Sequence, residues 1–245
     1  MGYFNGPKIV TDSLQLYLDA GNPKSYSGTG TTWNDLTENS DTFASTYYTY
    51  PSIAGSRARQ YFNFINNGTT VNNIYNSSAK LTTYTQRQYT RIAWFNLQTS
   101  SSEWSPIIQN SIGNNSDMGL TINNGYIHFR HYTKTQSGGT ADGDYGVNSA
   151  STVSTNTWNM AAIAVDLFSY NVTFYINGVY NSSSALTTIG NAASNTIIIG
   201  GASTDSYSGN RMFKGYIASV MHYNKLLQPT EIFQNYNAMK GRYGL

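Results

Sequence analysis

Cysteine is absent from the 245 residues. That removes disulfides, thiolate nucleophiles and zinc–thiolate centres together, and makes folding independent of the redox compartment. Charge is scarce as well: 11% of residues are Asp, Glu, Lys or Arg, and 14 Lys and Arg against 12 Asp and Glu leave a net charge of +2. A phosphate-backbone binder needs a basic excess gathered on one face, so nucleic acid is not an expected partner. No stretch approaches the ~20 apolar residues that span a bilayer, and the first twenty residues lack a basic segment followed by an apolar run. Neither membrane insertion nor secretion is expected. Glutamate is confined to Glu38, Glu103 and Glu231, and histidine to His128, His131 and His222, a thin supply for acid–base or metal chemistry.

What is plentiful is apolar and neutral polar. Hydrophobic residues make up 39% of the chain and aromatics 14%, with Ser, Thr, Asn and Gly in place of ions, a balance that suits strands and turns more than surface helices. In the stretch 172–180, Val172, Phe174 and Ile176 alternate with Thr173 and Tyr175, and Asn177-Gly178 supplies the positive φ angles of a tight hairpin turn. This predicts a hairpin with one buried face. Further strands are expected at Ile9-Val10, over 14–18 with Leu14, Leu16 and Leu18 on one face, and over 61–65, 91–97, 106–108 and 118–122. The run continues through a turn at Asn123-Asn-Gly125 into 126–132, then 158–165, 196–201 and 212–224. Arg91-Ile-Ala-Trp-Phe-Asn-Leu97 carries apolar residues on both faces and reads as an interior strand of a two-layer structure. The polar stretch 25–36 reads as a loop pinned by Trp33, and residues 133–157 as a long surface loop. Near the C-terminus Pro229 opens a helix, Ile232, Phe233, Tyr236 and Met239 form its apolar stripe, and Gly241 caps it.

The order of Arg91-Ile-Ala-Trp-Phe95, Gly119-Leu-Thr-Ile122, Trp158, Ala161-Ile-Ala-Val-Asp166, Phe174-Tyr-Ile-Asn-Gly-Val179, Ile199-Gly-Gly201 and Phe213-Lys-Gly-Tyr-Ile-Ala-Ser-Val220 resembles the laminin-G-like, concanavalin A-like jelly roll. The resemblance spans nearly the whole chain. It implies an all-β, two-sheet antiparallel jelly-roll sandwich with one short C-terminal helix, as a single domain over 1–245. At the two ends, residues 7–22, 25–36 and 231–245 look like laminin-G-like proteins of tailed bacteriophages, T4-like and cyanophage types, which are generally virion structural or surface proteins. Where that pattern has a Ser-Gly-Asn-Gly turn after Leu36, this chain has Thr37-Glu-Asn-Ser-Asp41.

The same jelly roll resembles that of endoglucanases, whose chemistry needs two carboxylates ~5–5.5 Å or ~6.5–9.5 Å apart across a sugar. The three glutamates fall in predicted loops or the helix, and no strand carries a Glu-x-Asp-x-x-Glu arrangement. The expectation is no enzyme, with glycoside hydrolysis a remote alternative. In calcium-binding laminin-G-like domains an aspartate just before the strand matching 118–122 is a typical ligand. Asp117 holds that position, and Asp205 falls in a loop expected on the same rim; both are equally the residues of solvated turns. Asp35, Glu38 and Asp41 form a weaker acidic group. His128 and His131 are three apart in a predicted strand and point to opposite faces, so they share no ligand. Tyr132, Tyr145 and Tyr207, in or beside loops, are candidate glycan-stacking platforms, a use that tyrosine shares with protein interfaces.

The expectation drawn from these features is a non-enzymatic bacteriophage virion protein, associated with capsid or tail and made in the host cytoplasm. Its partners would be other virion proteins, further copies of itself, and a glycan. Residues 1–10 are the candidate docking arm, the start at Met1 and the end just after the helix being expected of a whole one-domain protein. The alternative is a carbohydrate-binding adhesion module for host or environmental polysaccharide.

Overall fold

The computed structural model describes residues 7–44, 52–56, 59–64, 74–76, 87–100, 104–110, 118–133, 143–187, 197–201 and 212–245. The strands are β1 (Leu14–Asp19), β2 (Thr32–Asn34), β3 (Thr42–Ala44), β4 (Ser52–Ala54), β5 (Tyr61–Asn63), β6 (Ile74–Asn76), β7 (Gln88–Leu97) and β8 (Ser105–Asn110). They continue with β9 (Met118–Asn123), β10 (Tyr126–Thr133), β11 (Gly143–Thr152), β12 (Trp158–Asp166), β13 (Asn171–Ile176), β14 (Val179–Ala185), β15 (Ile197–Ile199) and β16 (Gly215–Tyr223). One helix, α1 (Pro229–Met239), runs into a 3-10 turn over Lys240–Arg242.

Two antiparallel sheets face each other. The first has the order β14-β13-β12-β7-β16-β5-β4 with β1 also beside β16, and the second β11-β10-β9-β8-β15-β6-β3-β2. This is the two-sheet sandwich that the sequence implied. Strand β7 explains why its residues are apolar on both sides. Tyr89, Ala93, Phe95 and Leu97 point into the core between the sheets, where they join Trp33, Phe62, Phe129, Ile163 and Phe174, while Ile92 and Trp94 point the other way into a second core under α1. That second core adds Met160, Met221, Tyr223, Ile232, Met239 and Tyr243. Trp94 stacks on Tyr243 at 4.6 Å and on Tyr236 at 5.7 Å, so the chain's last residues are locked to its central strand by aromatic faces.

Both Asn-Gly turns form as expected: Asn124 and Gly125 have φ of 50° and 83°, and Asn177 and Gly178 of 50° and 80°, the pair of positive angles a two-residue hairpin demands. Trp33 is fully buried and packs 4.7 Å from Phe62, so it anchors the polar stretch as predicted, from within β2. Pro229 opens α1, and Gln228 and Glu231 close a reciprocal capping box.

Several expectations are corrected. Residues 143–152 of the predicted surface loop are strand β11, which pairs along β10. Its inward contributions are modest: Val147 packs on the core, and the buried Ser149 hydroxyl accepts from the Ile127 N–H at 3.0 Å. Ile9-Val10 is not a strand but a segment lying on α1. Leu14 does not share a face with Leu16 and Leu18, because a bulge between Leu14 and Leu16 turns it to the helix side. Gly241 sits inside the 3-10 turn, and the positive-φ glycine at the C-terminal end is Gly244. Phe233 of the expected stripe is 47% exposed, and the buried position beside Ile232 and Met239 is taken by Asn235.

Candidate functional site: a groove beside β1

One edge of β1 is bonded to β16. The other is closed by the loop after β2 rather than by a strand. Leu36 N–H donates to Tyr17 O at 2.9 Å, and Tyr17 N–H donates to Asp35 Oδ1 at 2.8 Å. Gln15 O accepts from Thr37 Oγ1 at 3.2 Å and from Asn39 Nδ2 at 2.8 Å. Asp35 shapes this loop, taking the Thr37 N–H and hydroxyl as well. On the other flank, residues 8–10 are tied to α1 and β16. Val10 N–H donates to Asn235 Oδ1 at 2.8 Å, the Tyr223 hydroxyl donates to Val10 O at 2.9 Å, and Gln234 Nε2 donates to Lys8 O at 2.8 Å. Residues 8–10 of the expected docking arm are thereby fixed on the chain's own helix and β16; residues 1–6 lie outside the described residues.

Between these two walls lies a groove of about 700 Å³, within the ~300–1,000 Å³ of ordinary ligand sites. Ile9, Leu14, Tyr17 and Leu36 give it a half-buried apolar floor, and Thr11, Gln15, Asn22 and Glu38 give it polar sides. Among the described residues, the Gln15 carboxamide and the Glu38 carboxylate have no hydrogen-bond partner, so both are available to a ligand.

The groove is held in shape by a clasp between the chain's ends. Arg242 grips Asp19 through two bonds of 2.7 and 2.8 Å, and Asp19 also accepts from the Tyr17 hydroxyl and the Gly21 N–H, each at 3.0 Å. Burial raises the Tyr17 hydroxyl's pKa, with Asp19 adding to the shift. Burial alone would lower the pKa of Arg242, but its bond to Asp19 and the nearby Tyr243 hold it above the ordinary value. A second clasp joins Lys225 to Asp12 at 2.6 Å and to Glu231 at 2.8 Å. The Asp12 hydrogen bond leads in raising the pKa of Lys225.

A separate polar node lies inside the sandwich. Arg91 of β7 is fully buried; its Nη2 donates to Asn110 Oδ1 of the opposite sheet and its Nε to His222 Nδ1 at 3.4 Å, and its guanidinium lies 5.4 Å from the Tyr89 ring centre. His222 Nε2 then carries the proton facing Asn224 Oδ1 at 3.2 Å. Burial depresses the His222 pKa well below 6.5, and Arg91 pushes it the same way. Burial also lowers Arg91 to about 10 and raises Tyr89 to about 12. This node ties the two sheets together and lines no part of the groove.

The residues singled out in the sequence fare differently. Asp117, Asp205 and Tyr207 lie outside the described residues, as do the side chains of Tyr132 and Tyr145. The backbone register places Tyr132 opposite Asp144 and Tyr145 opposite His131. Asp35, Glu38 and Asp41 do not converge as a metal group: Asp35 is turned into its own loop, Asp41 is buried, and Glu38 faces the groove. His128 is buried with its Nδ1 2.7 Å from Asn148 Oδ1, and His222 is a core residue. The groove residues Gln15, Tyr17, Asn22 and Leu36 carry no local signal, because β1 and the loop meet only in three dimensions.

A family model described as the concanavalin A-like lectin/glucanases superfamily matches residues 67–233. The chain belongs to that superfamily. No curated protein sequence matches it significantly. Among solved structures, the chain is similar to the binding domain of Paraclostridial Mosquitocidal Protein 1, at 17% identity and a TM-score of 0.64, over 92% of this chain and 52% of that one. It is similar to the botulinum neurotoxin serotype D binding domain, at 18% identity and a TM-score of 0.62, over 92% and 51% of the two chains. It also resembles the botulinum neurotoxin DC binding domain solved in complex with SialylT, at 15% identity and a TM-score of 0.61, over 93% and 52%. These likenesses establish a shared fold, and the chain spans about half the length of each of those domains.

Proposed function

We propose that this chain is a non-catalytic, lectin-like binding module displayed on a bacteriophage particle, with the groove beside β1 as its site for a polysaccharide segment. The observation that carries the reading is the lining of the groove. A sugar presents apolar C–H faces and a rim of hydroxyls, and the groove offers Ile9, Leu14, Tyr17 and Leu36 beside the unengaged Gln15 and Glu38. The toxin domains of the same fold, named as binding domains and in one case solved with SialylT, support a binding role by analogy. A hydrolase reading is weaker, because Glu231 is engaged by Lys225 and the capping box, leaving Glu38 without a second carboxylate among the groove's lining residues.

The virion setting rests on the end segments. Of the stretches that resemble phage proteins, 7–22 and 25–36 supply most of the groove lining and 231–245 supplies Arg242 of the Asp19 clasp, while Thr37, Glu38 and Asn39 of the lining fall where the chain departs from that pattern. Residues 1–10, of which Lys8 and Val10 are bonded to α1 and β16, are the proposed contact with neighbouring virion proteins or further copies of the chain. Antibody-labelled electron microscopy of particles tests the location, and absence of label from intact particles overturns it. A glycan array probed with particles and with the multivalent chain tests binding, since a weak single site registers only through avidity. Silence at high valency refutes the groove reading.

A further inference from the structure

The groove carries charge of one sign. Among its lining residues Glu38 is the one ionisable carboxylate, and no Lys, Arg or His is present. Directly behind the loop wall sits Asp35, buried, whose carboxylate is held by the Tyr17 N–H, the Thr37 N–H and the Thr37 hydroxyl, all neutral donors. Hydrogen bonds from neutral groups stabilise that charge without cancelling it. The other acids near the groove are neutralised: Asp19 by Arg242, and Asp12 by Lys225. The loop wall over 35–39 therefore presents the field of two carboxylates to anything seated against Tyr17 and Leu36. A ligand bearing sulfate, uronate or sialate meets repulsion there, while an ammonium group beside Glu38 is attracted.

Resting on the glycan reading of the groove, we infer that its ligand class is an amino sugar with a free amine, with neutral sugars accepted less well and acidic ones rejected, and that Glu38 is the residue setting this order. Glu38 is exposed, so its contribution is that of a surface ion pair: Glu38→Gln lowers affinity for the amine by roughly two- to fivefold and leaves neutral binding within error. The preference weakens between low salt and about 0.5 M salt, where screening shortens to a few ångströms.

The test displays the full chain multivalently and measures binding to glucosamine oligosaccharides, their N-acetylated counterparts and uronate-containing oligosaccharides of equal length. The expected order is amine, then neutral, then acid, and Glu38→Gln removes the lead of the amine alone. Equal or better binding of the acidic probe overturns the inference while leaving the glycan site standing. So does an unchanged amine lead in Glu38→Gln, or an equal fall in Asp166→Asn, an acid outside the groove, which would mark bulk charge. Failure of all three probes sinks the glycan reading and this inference with it.

Discussion

Severing the clasp between Arg242 and Asp19 tests how the two ends of the chain hold the groove. In Arg242→Leu the Asp19 carboxylate, 5% exposed, loses two charge-assisted bonds of 2.7 and 2.8 Å and keeps the Tyr17 hydroxyl and Gly21 N–H. Breaking a well-buried pair costs about 3–5 kcal/mol because one charge is stranded. Arg242 is 25% exposed and returns part of its hydration in the unfolded chain, so the lower end, about 3 kcal/mol, is expected. The assay is urea unfolding, with a lowered midpoint and an unchanged slope marking lost stability rather than a changed unfolded state. Removing the stranded charge as well, in Asp19→Asn with Arg242→Leu, restores about 1–2 kcal/mol. A loss below about 0.5 kcal/mol in the single variant would refute the reasoning, since that is the scale of an exposed pair.

Acid provides a second prediction. The His222 pKa lies below 6.5 in the fold, so the unfolded chain binds more protons as pH falls through about 6.5, and stability present above that pH declines below it. Between about pH 7.5 and 5.5 stability is expected to fall, read by denaturant unfolding, and His222→Gln removes that share of the slope. A slope unchanged in His222→Gln contradicts the buried-neutral assignment. Gly146 faces the His128 ring, where an added Cβ would lie 2.2 Å from ring atoms; Gly146→Ala is expected to cost about 2 kcal/mol by overpacking, and a neutral melt would show that the ring swings aside freely.

Strong local patterns were legible in the sequence. Strand β7 announces two buried faces, the β13–β14 hairpin and the β9–β10 turn announce themselves through Asn-Gly, and α1 through Pro229 and the apolar spacing of Ile232, Tyr236 and Met239. Elements specified by their neighbours were not legible. Strand β11 is made largely of small and polar residues, with Gly143, Gly146, Ser149 and Ser151, and pairs because β10 offers an open edge. Leu14 leaves its expected face because the bulge is set by pairing with β16. The groove escapes for the same reason: Tyr17 and Leu36 are nineteen positions apart and meet through one backbone bond of 2.9 Å. Arg91 sits in an apolar run as a charge that solvent could have claimed, and only its partners on the opposite sheet and on β16 explain its burial.

The most direct measurement is a glycan array probed in parallel with the multivalent wild-type chain and the double variant Gln15→Ala/Glu38→Ala, neither side chain having a hydrogen-bond partner among the described residues. Loss of two ligand hydrogen bonds at about 1 kcal/mol each lowers site affinity by roughly thirtyfold while the melting temperature stays put. Equal binding by the two proteins, or none by the wild type, contradicts the assignment of the groove as the binding site.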